Sequence, residues 1–112
     1  MSNFRLPQNL STLLSVETGE DRLNQEIKAE QAAALGRAGR IVEDTLQRLK
    51  DFDAGKFSDA TRSDLVGDAA DAVWGFLVQR ELIGMRDQDQ VVKDYGIPGD
   101  VLNRVGERRT KK

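Results

Sequence analysis

The sequence predicts an all-α protein: a long antiparallel helical hairpin with an N-terminal arm and two short C-terminal helices, paired into a dimeric helical bundle. Three observations predict it. Apolar residues recur at three- and four-residue steps through 20–53, the spacing of one face of a helix. The stretch AADAVWGFLVQRELIGM, 69–85, is apolar nearly all the way round, which suits a helix held between neighbours. Between the two lies a short turn, Ala54-Gly55-Lys56-Phe57, and short turns between long helices give antiparallel pairs.

Taken in order, 1–19 reads as an irregular arm. Pro7 is placed to open a helical turn through Leu14, Leu6, Leu10, Leu13 and Leu14 are apolar handles, and Gly19 marks the break before the next element. The hairpin then occupies 20–85. Its first helix shows Leu23, Ile27, Ala34, Ala38, Ile41, Val42, Leu49 and Phe52 in the apolar stripe. Some 33 helical residues reach about 50 Å, longer than a small domain is wide, so bundle packing follows. Gly36 and Gly39, with Ala29, Ala32 and Ala33, form a small-residue strip on the side away from that stripe. Because each glycine costs about 1 kcal/mol relative to alanine in a helix interior, the strip is read as a place where another helix or the arm approaches closely.

Ser58 or Asp59 is the expected cap of the second helix, and Gly84 its stop. Leu65, Val66, Ala69, Ala72, Val73, Phe76, Leu77 and Ile83 share one broad face of this helix. Trp74, Val78, Leu82 and Met85 form a second stripe roughly opposite. Trp74, the sole tryptophan, reads as core packing or as an interface anchor. An isolated hairpin cannot cover both surfaces, so the second stripe and the Gly36/Gly39 strip are the candidate interface of a homodimer.

Arg80 falls in the middle of the first apolar face, and a buried arginine needs a partner. With the turn centred near residue 55, position i faces about 111 − i, which sets Arg80 against Glu30 and Gln31. An Arg80–Glu30 ion pair is therefore expected, chiefly as a device for helix register. Glu30, Gln31, Gln79 and Arg80 form the candidate buried polar cluster.

The segment 86–106 changes grain. Asp87 caps a short helix, Gln88 to Tyr95, which Gly96 stops, and Pro98 opens another running to about Val105. Helix, glycine turn, helix is the order of a helix-turn-helix. A basic tail follows over 107–112, and Arg104, Arg108 and Arg109 are candidate phosphate contacts. Against a DNA reader, Pro98, Gly99, Asp100 and Asn103 at the start of the second helix are poor at reading base edges. A structural cap on the bundle is the simpler expectation, and DNA binding is the alternative function.

Composition narrows the remaining choices. The chain has 112 residues, fitting one domain, with 38% hydrophobic and 32% charged residues and a net charge of −2, so no strong field draws it to nucleic acid or anionic membrane. No apolar run is long enough to span a bilayer, and the N-terminus lacks the pattern of a signal peptide. With no Cys, disulfides are excluded and a reducing cytoplasm suits the chain. With no His, the commonest general base and metal ligand are missing. Glu26 and Glu30 lie four apart, but carboxylate-bridged bundles pair Glu with His. Gly36-Arg-Ala-Gly39 lacks the context of a phosphate loop. No catalytic residue, cofactor or metal is expected, and the chain is read as non-enzymatic.

The stretches EQAAALGRAG at 30–39, AVWGFLVQRELIG at 72–84 and YGIPGDVLNRVG at 95–106 resemble a family of small uncharacterised bacterial proteins, across most of the chain. The resemblance implies a bacterial, cytoplasmic protein and carries no activity. Self-association or protein–protein interaction is thus the leading expectation for function.

Overall fold

The computed structural model describes the backbone of residues 6–110 and the side chains of 21–107. Among the described residues there are four helices and no strands: α1 Leu6–Asp53, α2 Arg62–Leu82, α3 Gln88–Tyr95 and α4 Gly99–Thr110. The chain forms two compact units, Met1–Ala33 and Ala34–Lys112.

In the first unit, the stretch expected as an irregular arm is instead helix from Leu6 onward, and Gly19 does not break it. Pro7 stands in the first turn, where its missing N–H has no helical partner to lose. One interior glycine costs about 1 kcal/mol, which a helix this long absorbs. The side chains of Leu6, Leu10, Leu13 and Leu14 lie outside the described residues. Leu23 and Ile27, expected in the apolar stripe, are exposed on this unit.

The second unit holds the core. Val42, Leu46 and Leu49 of α1 pack with Leu65, Val66, Ala69, Ala70, Val73, Phe76 and Leu77 of α2. Val91, Ile97, Val101 and Val105 from α3, the following turn and α4 complete the cluster. The α2 residues are the first stripe expected from the sequence, with Ala70 added and with Ala72 and Ile83 half-buried. On α1, Val42 is fully buried whereas its neighbour Ile41 is exposed, since adjacent helical residues point about 100° apart.

Helix ends follow local chemistry. Gly55 adopts φ 89° after α1, and the Lys56 N–H returns to the Asp51 carbonyl at 3.0 Å, a glycine-dependent C-terminal closure. The cap of α2 is Thr61 rather than Ser58 or Asp59. Its hydroxyl accepts from the Asp64 N–H while the Asp64 carboxylate accepts from the Thr61 N–H, a reciprocal box that satisfies two end donors at once. Ser58 accepts from the Ala60 N–H instead. Asp87 caps α3 through the Gln90 N–H, and Gly96 ends it in the left-handed region.

α4 extends past the expected end at Val105 to Thr110, so most of the expected tail is helical. No breaker stronger than Gly106 intervenes, and basic residues suit the negative end of a helix.

Candidate functional site

The second stripe of α2 is the feature with the clearest functional content. The helix turns its Leu65–Leu77 side into the core, which leaves Trp74, Val78 and Leu82 on the far side. Trp74 is half-buried against the edge of the core. Val78 is 37% exposed, Leu82 70% and Met85 41%. Met85 lies beyond the last helical residue, yet its N–H donates to the Arg80 carbonyl at 2.8 Å and Gly84 turns with φ 86°. That closure returns the backbone at Met85 to the end of the helix.

The glycines of the candidate interface separate. Gly39 is buried, and a Cβ there would meet the Tyr95 hydroxyl at 2.8 Å and the Phe76 ring at 3.4 Å. It is a close approach of α2 and α3 within the chain and not a surface for a second copy. Gly36 is exposed, and a Cβ there would meet only Arg40 of its own helix. Gly39 therefore does not lie on the side away from the core, as the small-residue strip implies. It stands three residues before the fully buried Val42 and shares its side of the helix. The contacts Gly39–Phe76 and Asp53–Arg62 also depart from the expected register by about four residues, one helical turn.

The residues of the candidate polar cluster belong to both units. Glu30 and Gln31 are exposed residues of the first unit. Gln79 and Arg80 are half-buried in the second. The Arg80 guanidinium donates to the Asp87 carbonyl at 3.2 Å and lies 5.8 Å from the centre of the Phe76 ring, a cation–π distance. An arginine on the apolar face is thus accommodated by an aromatic surface and a loop carbonyl.

The C-terminal helices carry a polar clamp that no sequence motif announces. Arg62 bonds both carboxylate oxygens of Asp53, at 2.8 and 3.1 Å, and Asp100 at 2.7 Å. It thereby ties the end of α1, the start of α2 and the start of α4 together. The hydrogen bonds from Arg62 hold both carboxyls below the usual aspartate range, and those bonds raise the arginine in turn. Arg104, a candidate phosphate contact, is committed elsewhere: its guanidinium donates to the Ser63 hydroxyl at 2.9 Å and carbonyl at 3.3 Å. The side chains of Arg108 and Arg109 lie outside the described residues. Among the described residues, the other exposed charges of α3 and α4 are Asp89, Lys93, Asp94 and Glu107.

A cleft of about 580 Å³ opens between α1 and the α3–α4 junction, with Leu46, Leu49 and Pro98 as apolar lining and Glu43, Lys50 and Tyr95 among its polar groups. Burial, then the Glu43 charge, pushes the Tyr95 phenol up. Tyr95 also stacks edge-on against Phe76, with ring centres 5.2 Å apart. Among the described residues, no group of three or more His, Cys, Asp or Glu is placed to hold a metal ion, and no helix is long and apolar enough to cross a membrane.

No curated protein and no solved structure matches the chain. The model of a family of unknown function does match, over residues 3–111. With nearly the whole chain covered, this protein belongs to that family of unknown function (DUF6665).

Proposed function

We propose that the chain is a non-enzymatic helical protein that acts through self-association, most simply as a homodimer, with the Trp74–Val78–Leu82–Met85 face as its contact. One observation carries the reading: Val78 and Leu82 stand exposed on α2 beside the sole tryptophan, with Met85 exposed just past the helix end. Scattered surface apolar residues are ordinary, but a contiguous row beside an aromatic is the composition of an interface centre. The absence of Cys and the resemblance to bacterial sequences fit a bacterial cytoplasm as the setting. Size-exclusion chromatography with light scattering tests it. The expected result is a dimer mass at tens of micromolar and a monomer mass for Leu82→Glu with unchanged helix content. A compact monomer for the unmutated chain across micromolar concentrations overturns the proposal.

Duplex DNA binding has one feature in its favour, the helix–glycine turn–helix order around Gly96. The commitment of Arg104 to Ser63 weighs against it, because phosphate contact needs free cationic side chains. Fluorescence anisotropy against mixed duplex at low salt separates the readings. No binding is expected. Tight, salt-sensitive binding lost in the Arg104→Ala, Arg108→Ala, Arg109→Ala variant reverses that order.

A further inference from the structure

We propose that the second unit holds a binding cavity for a small uncharged apolar molecule, of the size of a single aromatic ring, where α2, α3 and α4 converge. None of the residues of the self-association face takes part. A cavity of about 160 Å³ lies there. Its wall includes Val73 and Leu77 of α2, Val91 of α3, Ile97 of the following turn and Val105 of α4, each of them buried. Valine side chains are short, and where three helices meet on them the centre is left unfilled.

The lining selects the chemistry of the occupant. Gln88 is its polar side chain among the described residues, and the Gln88 amide nitrogen donates to the Glu81 carboxylate at 3.5 Å. Water inside a protein needs several polar partners, which this wall does not supply. A charged group would lie against hydrocarbon without a counter-ion, which is strongly disfavoured. An empty void also carries a cost, because the wall atoms forfeit the dispersion contacts of a close-packed interior. A hydrocarbon ring restores those contacts, and an apolar cavity of about 150 Å³ is large enough to take benzene. The α4 side offers a way in. Gly106 borders the cavity and is exposed, and a Cβ there would meet nothing within 4 Å.

Benzene is the probe, with benzoate as its charged counterpart. Benzene should raise the melting temperature saturably, by about 3–6 °C, and its ring current should shift the methyl resonances of Val73, Val91 and Val105. Benzoate should do neither. Val105→Leu extends a wall residue into the space, so without benzene it should match or exceed the parent melting temperature. It should also cut the benzene-induced rise by about half or more. In a core already filled, the same substitution would overpack and lower the melting temperature. Val91→Leu is the second filling variant, with the same expectations if Val105→Leu fails to fold. No rise with benzene, an equal rise with benzoate, or a rise undiminished in both filling variants overturns the inference. A rise lost in Leu82→Glu but kept in Val105→Leu places benzene on the open face of α2, which also overturns it and leaves the self-association reading standing.

Discussion

The two ends of α2 make opposite use of similar residues. Its N-terminal half is closed by its own chain: Leu65, Val66, Ala69 and Ala70 are buried with Val101 and Val105 of α4, and α2 and α4 form a close helix pair. Polar groups seal the rim there, with Arg62 on Asp53 and Asp100 and Arg104 on Ser63. At the C-terminal half the inner side still meets the core through Val73, Phe76 and Leu77, while Val78, Leu82 and Met85 stand exposed. The contrast teaches that hydrophobicity alone does not locate the core; the number of helices available on each side of α2 does.

Substitutions that trade one end for the other should show the largest effect. Phe76→Ala removes a buried aromatic that touches Tyr95 and carries Arg80, and should cost about 3–5 kcal/mol in denaturant unfolding. Leu82→Ala, on the same helix, should lie within about 0.5 kcal/mol of the parent measured under monomeric conditions. Equal losses at both positions would contradict the distinction between core side and open side.

The glycine pair sharpens it next. Gly39→Ala forces the Tyr95 hydroxyl or the Phe76 ring to move, with an expected loss of about 1–3 kcal/mol. Gly36→Ala meets only its own Arg40 at 3.6 Å and should stabilise by up to about 1 kcal/mol through helix propensity. Thermal melts of the two variants should therefore move in opposite directions. A smaller loss, about 1 kcal/mol, is expected for Thr61→Ala, which removes the reciprocal cap of α2.

The Arg62 clamp should give the smallest effect and one that depends on pH. Asp53 and Asp100 have depressed folded-state values, so their contribution is complete above the ordinary aspartate value, about 3.9. It is lost as pH falls through the depressed values. The gap in melting temperature between the parent and Arg62→Ala should accordingly shrink from pH 6 to pH 3. Because all three groups are solvated, the gap is modest and narrows in high salt. A gap that widens with acid would contradict this account of the clamp.

Local chemistry made much of the fold legible in the sequence. The inner stripe of α2, the Asp87 cap, the Gly96 stop and the helix between them were all readable, since each depends on residues within a few positions. What escaped depends on competition or on distance. Thr61 displaced Ser58 and Asp59 because only Thr61 has an acidic residue three positions on to complete the box. Arg80 sits on an apolar face, where the Phe76 ring and the Asp87 carbonyl accommodate its guanidinium, and no local spacing announces either of them. The Arg62 clamp joins residues 38 apart in the chain, and no local spacing announces it. The exposed stripe was visible as a second apolar face, while its division from the core required the placement of α4.

Trp74 offers the most direct measurement, because it is the sole tryptophan and stands at the edge of the open face. Its emission spectrum should be followed on dilution from about 100 µM to the nanomolar range, a span that covers the affinities common among protein dimers. Self-association through this face predicts a red shift on dilution, as the indole exchanges an apolar partner for water, with a midpoint matching the loss of dimer mass. Leu82→Glu should show the red-shifted spectrum at every concentration. A spectrum that stays constant while the mass halves would place the interface elsewhere, and a constant spectrum with monomer mass throughout would contradict self-association itself.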